Sequence, residues 1–217
     1  MAKYYLLAIP VIIGIIGGIL TVTYFGSHNN SQNSNTFTKE QLIENSSPYE
    51  GSPSAPITII EWGDYQCTFC HKFHDSSLGA IKDEYIKTGK ASLVFKDFAL
   101  NGPASVLAAE ASHCANDQGK FWVYHDEVYN NWAGENTGWV SKDSLTTFAQ
   151  NVGLNVDQLK SCLDSSKYKQ QVLDTYDFGQ KIGIDATPSF IIIKDNKVVK
   201  ITGAQPIEVF RKTLDEM

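Results

Sequence analysis

Apolar and polar positions divide the chain into three stretches. Tyr4 to Phe25 is a run of 22 residues without a charge, which at ~1.5 Å rise per residue is enough to cross a bilayer core of ~30 Å. Gly26 to Gly51 is rich in Asn and Ser and has few apolar residues. Such a composition buries too little surface to offset its ordering entropy, so it predicts a flexible tether. From about Ser52 to Met217 apolar residues recur at strand and helix periods, over a normal length for one domain with its own core.

Within that last stretch, Ile57-Thr58-Ile59-Ile60-Glu61-Trp62 is dominated by β-branched residues and predicts a buried strand. Gly63-Asp64 marks a bend. Cys67 to Lys87 then turns helical, with Phe73, Leu78, Ile81 and Tyr85 at roughly three-to-four spacing and Gly89 as the stop. Ser92 to Phe98 predicts a second strand, parallel to the first through a right-handed crossover. Pro103 to Gly183 shows no strand pattern but five helical ones. These are Ala104 to Gln118 behind Pro103, Phe121 to Asn131, a segment capped by Ser141 and running to Gln150, Val156 to Leu163 behind an Asn155/Gln158 capping box, and Ser165 to Ile182. Strands resume as Ser189–Lys194 and Lys197–Thr202 around the two-residue connection Asp195-Asn196, and a helix from Pro206 to about Glu216 closes the chain. The fold class is α/β: a mixed sheet flanked by helices, with a helical subdomain inserted at about residues 103–183.

The charges around the first stretch set the compartment. Lys3 precedes the apolar run and no Lys or Arg follows until Lys39, so the positive-inside rule puts the N-terminus in the cytoplasm and exports the rest. A cleaved signal peptide is the alternative, but its apolar core is ordinarily ~7–15 residues long, so a retained anchor at residues 1–25 is expected. Asn29 and Asn45 each open an Asn-x-Ser sequon. The formal charge of −6 and pI near 5.3 leave no basic footprint, which argues against nucleic acid as a partner. Four cysteines in an exported chain allow two disulfides. Three pairings exist on paper, and the two-residue spacing of one pair favours Cys67–Cys70 with Cys114–Cys162.

The candidate chemistry is concentrated in Cys67-Thr68-Phe69-Cys70-His71. A Cys-x-x-Cys at a strand-to-helix junction suits thiol–disulfide exchange, while Cys-x-x-Cys-His also spells a c-type haem attachment. A thiolate attacks a disulfide, and Cys67 in the first helical turn feels free backbone N–H groups and the positive helix end, which lower its pKa. Cys70, one turn further in, is placed as the resolving thiol. Glu61 sits in an otherwise apolar strand. Buried there, its pKa rises toward neutrality and it becomes a candidate proton acceptor for Cys70. Thr187-Pro188, just ahead of the third strand, gains meaning beside these features.

Glu61-Trp62-Gly63-Asp64-Tyr65-Gln66-Cys67-Thr68-Phe69-Cys70, with Ala186-Thr187-Pro188-Ser189-Phe190 downstream, resembles the DsbA family of thioredoxin-fold thiol–disulfide oxidoreductases, in particular its membrane-anchored members. Phe121-Trp122-Val123-Tyr124-His125-Asp126 resembles part of that family's inserted helices. The resemblance spans residues 52–217. It implies a thioredoxin-like fold with Pro188 in cis, Cys67 as nucleophile, Cys70 as resolving thiol, Glu61 as the buried acid, and Thr187 as a substrate-contacting residue. It further implies unfolded or reduced exported proteins as substrates, a quinone-linked membrane partner for reoxidation, and no cofactor. One departure is that strongly oxidising members often carry a His between the cysteines, where this chain has Thr68-Phe69.

The rivals explain less. A haem would need a second axial ligand, and the only methionines are Met1 and Met217. Cys67, Cys70, His71 and His74 lie within eight residues on one helix and cannot easily close a zinc tetrahedron, so no metal is expected. His71 and His74 are expected at the surface. A purely structural Cys67–Cys70 bond in a binding or chaperone module would close too small a ring to stabilise much. The scaffold running as a reductase or isomerase remains the alternative direction. Cys114 and Cys162 are expected to form a structural bridge.

Overall fold

The computed structural model describes residues 37–217. The expected anchor at residues 1–25 and the sequon at Asn29 lie outside the described residues. Among those described, no helix is long and apolar enough to cross a membrane. The elements are α1 (Lys39–Ile43), β1 (Ile57–Gly63), α2 (residues 68–86), β2 (Ala91–Asp97), α3 (Pro103–Asn116), α4 (Phe121–Asn130), α5 (Lys142–Asn151), α6 (Val156–Asp164), α7 (Lys169–Lys181), β3 (Ser189–Lys194), β4 (Lys197–Thr202) and α8 (Ile207–Asp215).

The strands form one sheet in the order β2-β1-β3-β4, with β1 parallel to β2 and antiparallel to β3. β1 is buried at every residue. Its side chains alternate between faces. Ile57 and Ile59 pack with Phe73, Ile81 and Leu214 beneath α2 and α8, while Ile60 and Trp62 pack with Leu42, Val94 and Phe98 on the other face. Glu61 shares its parity with Ile57 and Ile59, so it points toward α2. α7 lies directly on the opposite face. A Cβ at Gly179 would come within 2.8 Å of both Phe98 and Trp62, so only glycine lets the helix approach this closely.

α2 is continuous but not uniform. Thr68–Phe73 is α-helical, His74–Leu78 is a π turn, and a second π turn covers Lys82–Ile86. Phe73 and Leu78 are five residues apart, too far for one α-helical face, and the wider turn between them brings both into the same core.

The structure departs from the sequence expectation in three places. The stretch read as a tether is built from Phe37 onward. Thr38 and Gln41 close a capping box around α1, Leu42 is buried, and Ser47 and Glu50 hydrogen-bond to Phe95 and Leu93 along the outer edge of β2. A composition averaged over 26 residues hides one capped turn and the apolar anchors Phe37, Leu42, Ile43 and Tyr49. The last insert helix begins at Lys169, not Ser165, because the chain turns through Ser166 at φ 49°. Asn155 caps α6 by accepting from the Gln158 N–H at 3.0 Å, but its own N–H donates to Gln118 Oε1 rather than to Gln158.

At the other sheet edge, Lys197 and Lys200 of β4 donate to the carbonyls of Glu216 and Gly183. The insert helices α3 to α7 enclose their own core of Ala108, Ala111, Tyr124, Val128, Leu145 and Leu159, which reaches Cys67, Cys70 and Phe95. The cysteine pair therefore sits where the insert meets the sheet. Within the insert, Cys114 and Cys162 are joined as a disulfide across a separation of 48 residues. A double Cys114→Ala, Cys162→Ala variant is expected to lose ~4 kcal/mol of unfolding free energy in urea titrations, the chain-entropy value for such a loop.

Candidate active site

Cys67 is the residue before the first turn of α2, and its N–H donates to the Asp64 carbonyl at 3.1 Å. The preceding segment is held rigidly. Asp64 accepts from the Gln66 and Asn101 N–H groups, each at 2.7 Å, the Tyr129 hydroxyl donates to the Asp64 carbonyl, and the Gln66 side chain donates to Ser105. Cys67 and Cys70 are both unbonded and buried, Cys70 completely. Between them the Phe69 side chain is 58 % exposed, and Phe69 acts on Cys67 only through its backbone N–H.

The two sulfurs are electrostatically distinct. The Cys70 thiol, donating to the Cys67 sulfur, is the largest influence holding the Cys67 pKa down to about 6. Burial opposes it, and the Thr187 side chain and the backbone N–H groups of Cys70 and Phe69 add to it. Burial first, and the neighbouring Cys67 second, push the Cys70 thiol well above its ordinary value. Asp64 N–H lies 3.5 Å from the Cys70 sulfur. Across the site, the Thr187–Pro188 peptide is cis, and the Thr187 carbonyl lies 3.4 Å from Cys67 Sγ. Thr187, Pro188 and the cysteines are thus brought together from opposite ends of the domain.

Glu61 is 2 % exposed and its Oε2 has no hydrogen-bond partner among the described residues. Burial raises its pKa to about 8, opposed by Lys82 and reinforced by Glu50 and Cys67. Behind it lies a cluster that sequence reasoning missed. Lys82 Nζ sits 3.1 Å from Glu50 Oε1 and from both Asp126 oxygens, and His74 Nε2 is 3.1 Å from Asp126 Oδ1. His74 is consequently half-buried rather than at the surface, and His71 is stacked on Trp132 with ring centroids 4.5 Å apart. Lys82 lies on the helix expected there, but no local pattern ties it to Glu50 or Asp126, because the three come from separate parts of the chain. His113, by contrast, is a core residue paired with Asp97 at 2.6 Å, and His125 is buried against the Tyr65 hydroxyl.

The thioredoxin family model matches residues 44–216. The chain is a DsbA-like member of the thioredoxin family. It is 32 % identical over 146 residues to the probable disulfide bond formation protein D of Bacillus cereus, covering 65 % of this chain and 68 % of that protein. The oxidised crystal structure of BdbD from Bacillus subtilis superposes with a TM-score of 0.71 at 28 % identity, covering 80 % of this chain and 93 % of that one. Wolbachia pipientis alpha-DsbA1 gives 0.68 at 29 % identity, over 77 % and 88 % respectively. DsbA-like proteins are thiol–disulfide oxidoreductases, and this chain is an enzyme of that type.

Two measurements check the electrostatics. Thiolate absorbance of the reduced protein is expected to rise with a midpoint near pH 6 from Cys67. A midpoint at the free-thiol value of ~8.5 would overturn the site as described. The second concerns Glu61, which binds its proton more tightly folded than unfolded. The contribution of Glu61 to the stability of the reduced protein therefore falls as pH rises from the ordinary carboxyl value of 4.5 toward about 8 and is flat above that. The depressed Cys67 adds a contribution of the opposite sign between about pH 6 and 9, so the Glu61 slope is read as the difference between the parent and a Glu61 variant. Glu61→Gln is expected to remove this slope and to be more stable than the parent at pH 8 by a few kcal/mol, on the order of the shift at ~1.4 kcal/mol per unit. Urea titrations of both proteins from pH 5 to 9 read the difference.

Proposed function

We propose that the chain introduces disulfides into exported proteins through Cys67–Cys70, working outside the cytoplasmic membrane. A substrate thiolate attacks Cys67 Sγ of the enzyme disulfide, forming a mixed disulfide and expelling Cys70 as a thiolate. Glu61, protonated below about pH 8, is the proton donor for Cys70. A second substrate thiolate then attacks the substrate sulfur of the mixed disulfide and releases Cys67. The substrate thiols lose two protons to solvent as they ionise and two electrons to the enzyme, which ends as a Cys67 thiolate and a Cys70 thiol, and Glu61 regains its proton from solvent. The observation that carries this direction is the pairing of a depressed Cys67 with a buried, elevated Cys70. A stable thiolate favours the reduced enzyme and makes its disulfide a donor.

Thr187 and Pro188 serve as the substrate-contacting segment beside the sulfurs. Residues 1–25 serve as a single membrane anchor and 26–36 as the tether, with the catalytic domain outside the cytoplasm, where disulfides persist. The resemblance to disulfide bond formation proteins D supports this placement. Reoxidation falls to a membrane partner that passes electrons to quinone.

The test is the reduction potential of the Cys67–Cys70 pair in the purified protein, equilibrated against glutathione. A value near −120 mV, that of a strong oxidant, is expected. A value near −270 mV would make the same residues a reductant, with electrons flowing to the substrate instead.

A further inference from the structure

The free backbone donors at the start of α2 can be accounted for one by one. The His71 N–H already closes the first intrahelical bond to the Cys67 carbonyl at 3.0 Å. The N–H groups of Phe69 and Cys70 help hold the Cys67 pKa down. The remaining donor, the Thr68 N–H immediately after Cys67, is taken by Glu135 Oε1 at 2.8 Å. Glu135 comes from the connection between α4 and α5, far away in sequence and exposed.

That connection is fastened against the active-site segment. The Trp132 indole N–H donates to the Gln66 carbonyl at 2.9 Å, and its ring stacks on His71. The Asn136 N–H donates to Gln66 Oε1 at 3.2 Å, with Asn136 at φ 54° and Gly134 at φ 106° turning the backbone around Glu135. Internal bonds from Thr137 and Trp139 to the carbonyls of Ala133 and Gly134 hold the turn. The loop therefore delivers a carboxylate to the same helix end that stabilises the thiolate.

We propose that Glu135 is a positioning residue for the exchange reaction: its carboxylate on the Thr68 N–H opposes the Cys67 thiolate and limits how oxidising the Cys67–Cys70 pair is. Two anions then share one positive helix end. The repulsion is present only in the dithiol form, where Cys67 is a thiolate, and vanishes in the disulfide. It destabilises the reduced enzyme selectively, which weakens the disulfide as an oxidant. A charge at a helix terminus is worth ~0.3–1 kcal/mol, enough for a two- to fivefold change in an equilibrium constant. The other ionisable groups around Cys67 are Glu61 on β1, Cys70, His71 and His74 on α2, Tyr129 on α4, and Asp64 before α2. Among them Glu61 is kept from adding a full negative charge below about pH 8 by its burial.

This inference rests on the proposed function, in which Cys67 is the thiolate of the reduced enzyme, and one experiment separates the two. The full-length protein, Glu135→Gln and Glu135→Asp are compared by thiolate absorbance and by the equilibrium of the enzyme disulfide plus two glutathione thiols with the enzyme dithiol plus glutathione disulfide. The wild-type titration decides the role of Cys67. The difference between wild type and Glu135→Gln decides the role of Glu135. Gln retains an acceptor oxygen for the Thr68 N–H but not the charge, so its Cys67 midpoint is expected to fall by about half a unit. The same variant should shift the glutathione equilibrium about threefold toward the dithiol, or ~14 mV. Glu135→Asp keeps the charge and is expected to stay near wild type, and 1 M salt is expected to shrink the Gln effect. A Gln variant matching wild type in both readouts, or one with a raised midpoint, overturns the proposal and leaves Glu135 as a structural cap.

Discussion

β1 is hydrogen-bonded along both edges and covered on both faces, and the site's geometry follows from that position. Its parallel register with β2 ends at Gly63 opposite Asp97, and its antiparallel register with β3 places Trp62 opposite Ser189. The chain therefore leaves β1 into Asp64–Cys67 at the point where it enters β3 through Thr187-Pro188. A shift of one residue in either pairing would turn Glu61 to the opposite face and part Cys67 from Thr187. Gly63 enforces the closeness, since a Cβ there would fall 2.4 Å from the Phe95 ring.

The chemistry that results is a separation of charge over a short distance. At the surface end, sulfur and backbone donors favour an anion on Cys67. Inside, burial keeps the proton on Cys70 and on Glu61. Lys82, placed between Glu50 and Asp126, moderates the second effect without abolishing it. The inserted helices supply Asp126, Tyr129 and the loop carrying Glu135, so they shape the site's electrostatics as well as covering one side of it.

How much of this was legible in the sequence depended on sequence distance. β1, the Cys67–Cys70 junction and the hairpin of β3 with β4 are written in local periodicity and turn residues, and each was readable. Glu61 stood out because a carboxylate in an apolar strand is conspicuous. The Cys114–Cys162 pairing followed from arithmetic on four cysteines. Glu50, Lys82, Asp126 and Glu135 carry no local mark, because each matters only through a neighbour brought close by folding. Neither π turn of α2 was expected: the five-residue step from Phe73 to Leu78 passes for ordinary helical spacing, and no residue marks the second turn at Lys82–Ile86. The docked arm from Phe37 to Gly51 was obscured by its polar composition.

The two outer edges of the sheet are closed in different ways. The arm runs along β2 with Ser47 and Glu50 occupying its hydrogen-bonding groups, while β4 presents Lys197 and Lys200, whose side chains donate to the Glu216 and Gly183 carbonyls. An open strand edge is a template for any extended chain. A catalyst with the proposed function meets such chains constantly, and an unguarded edge would capture them unproductively. With the β2 edge covered and the β4 edge carrying lysines, the proposed substrate surface beside Cys67 is the one left open to an extended partner.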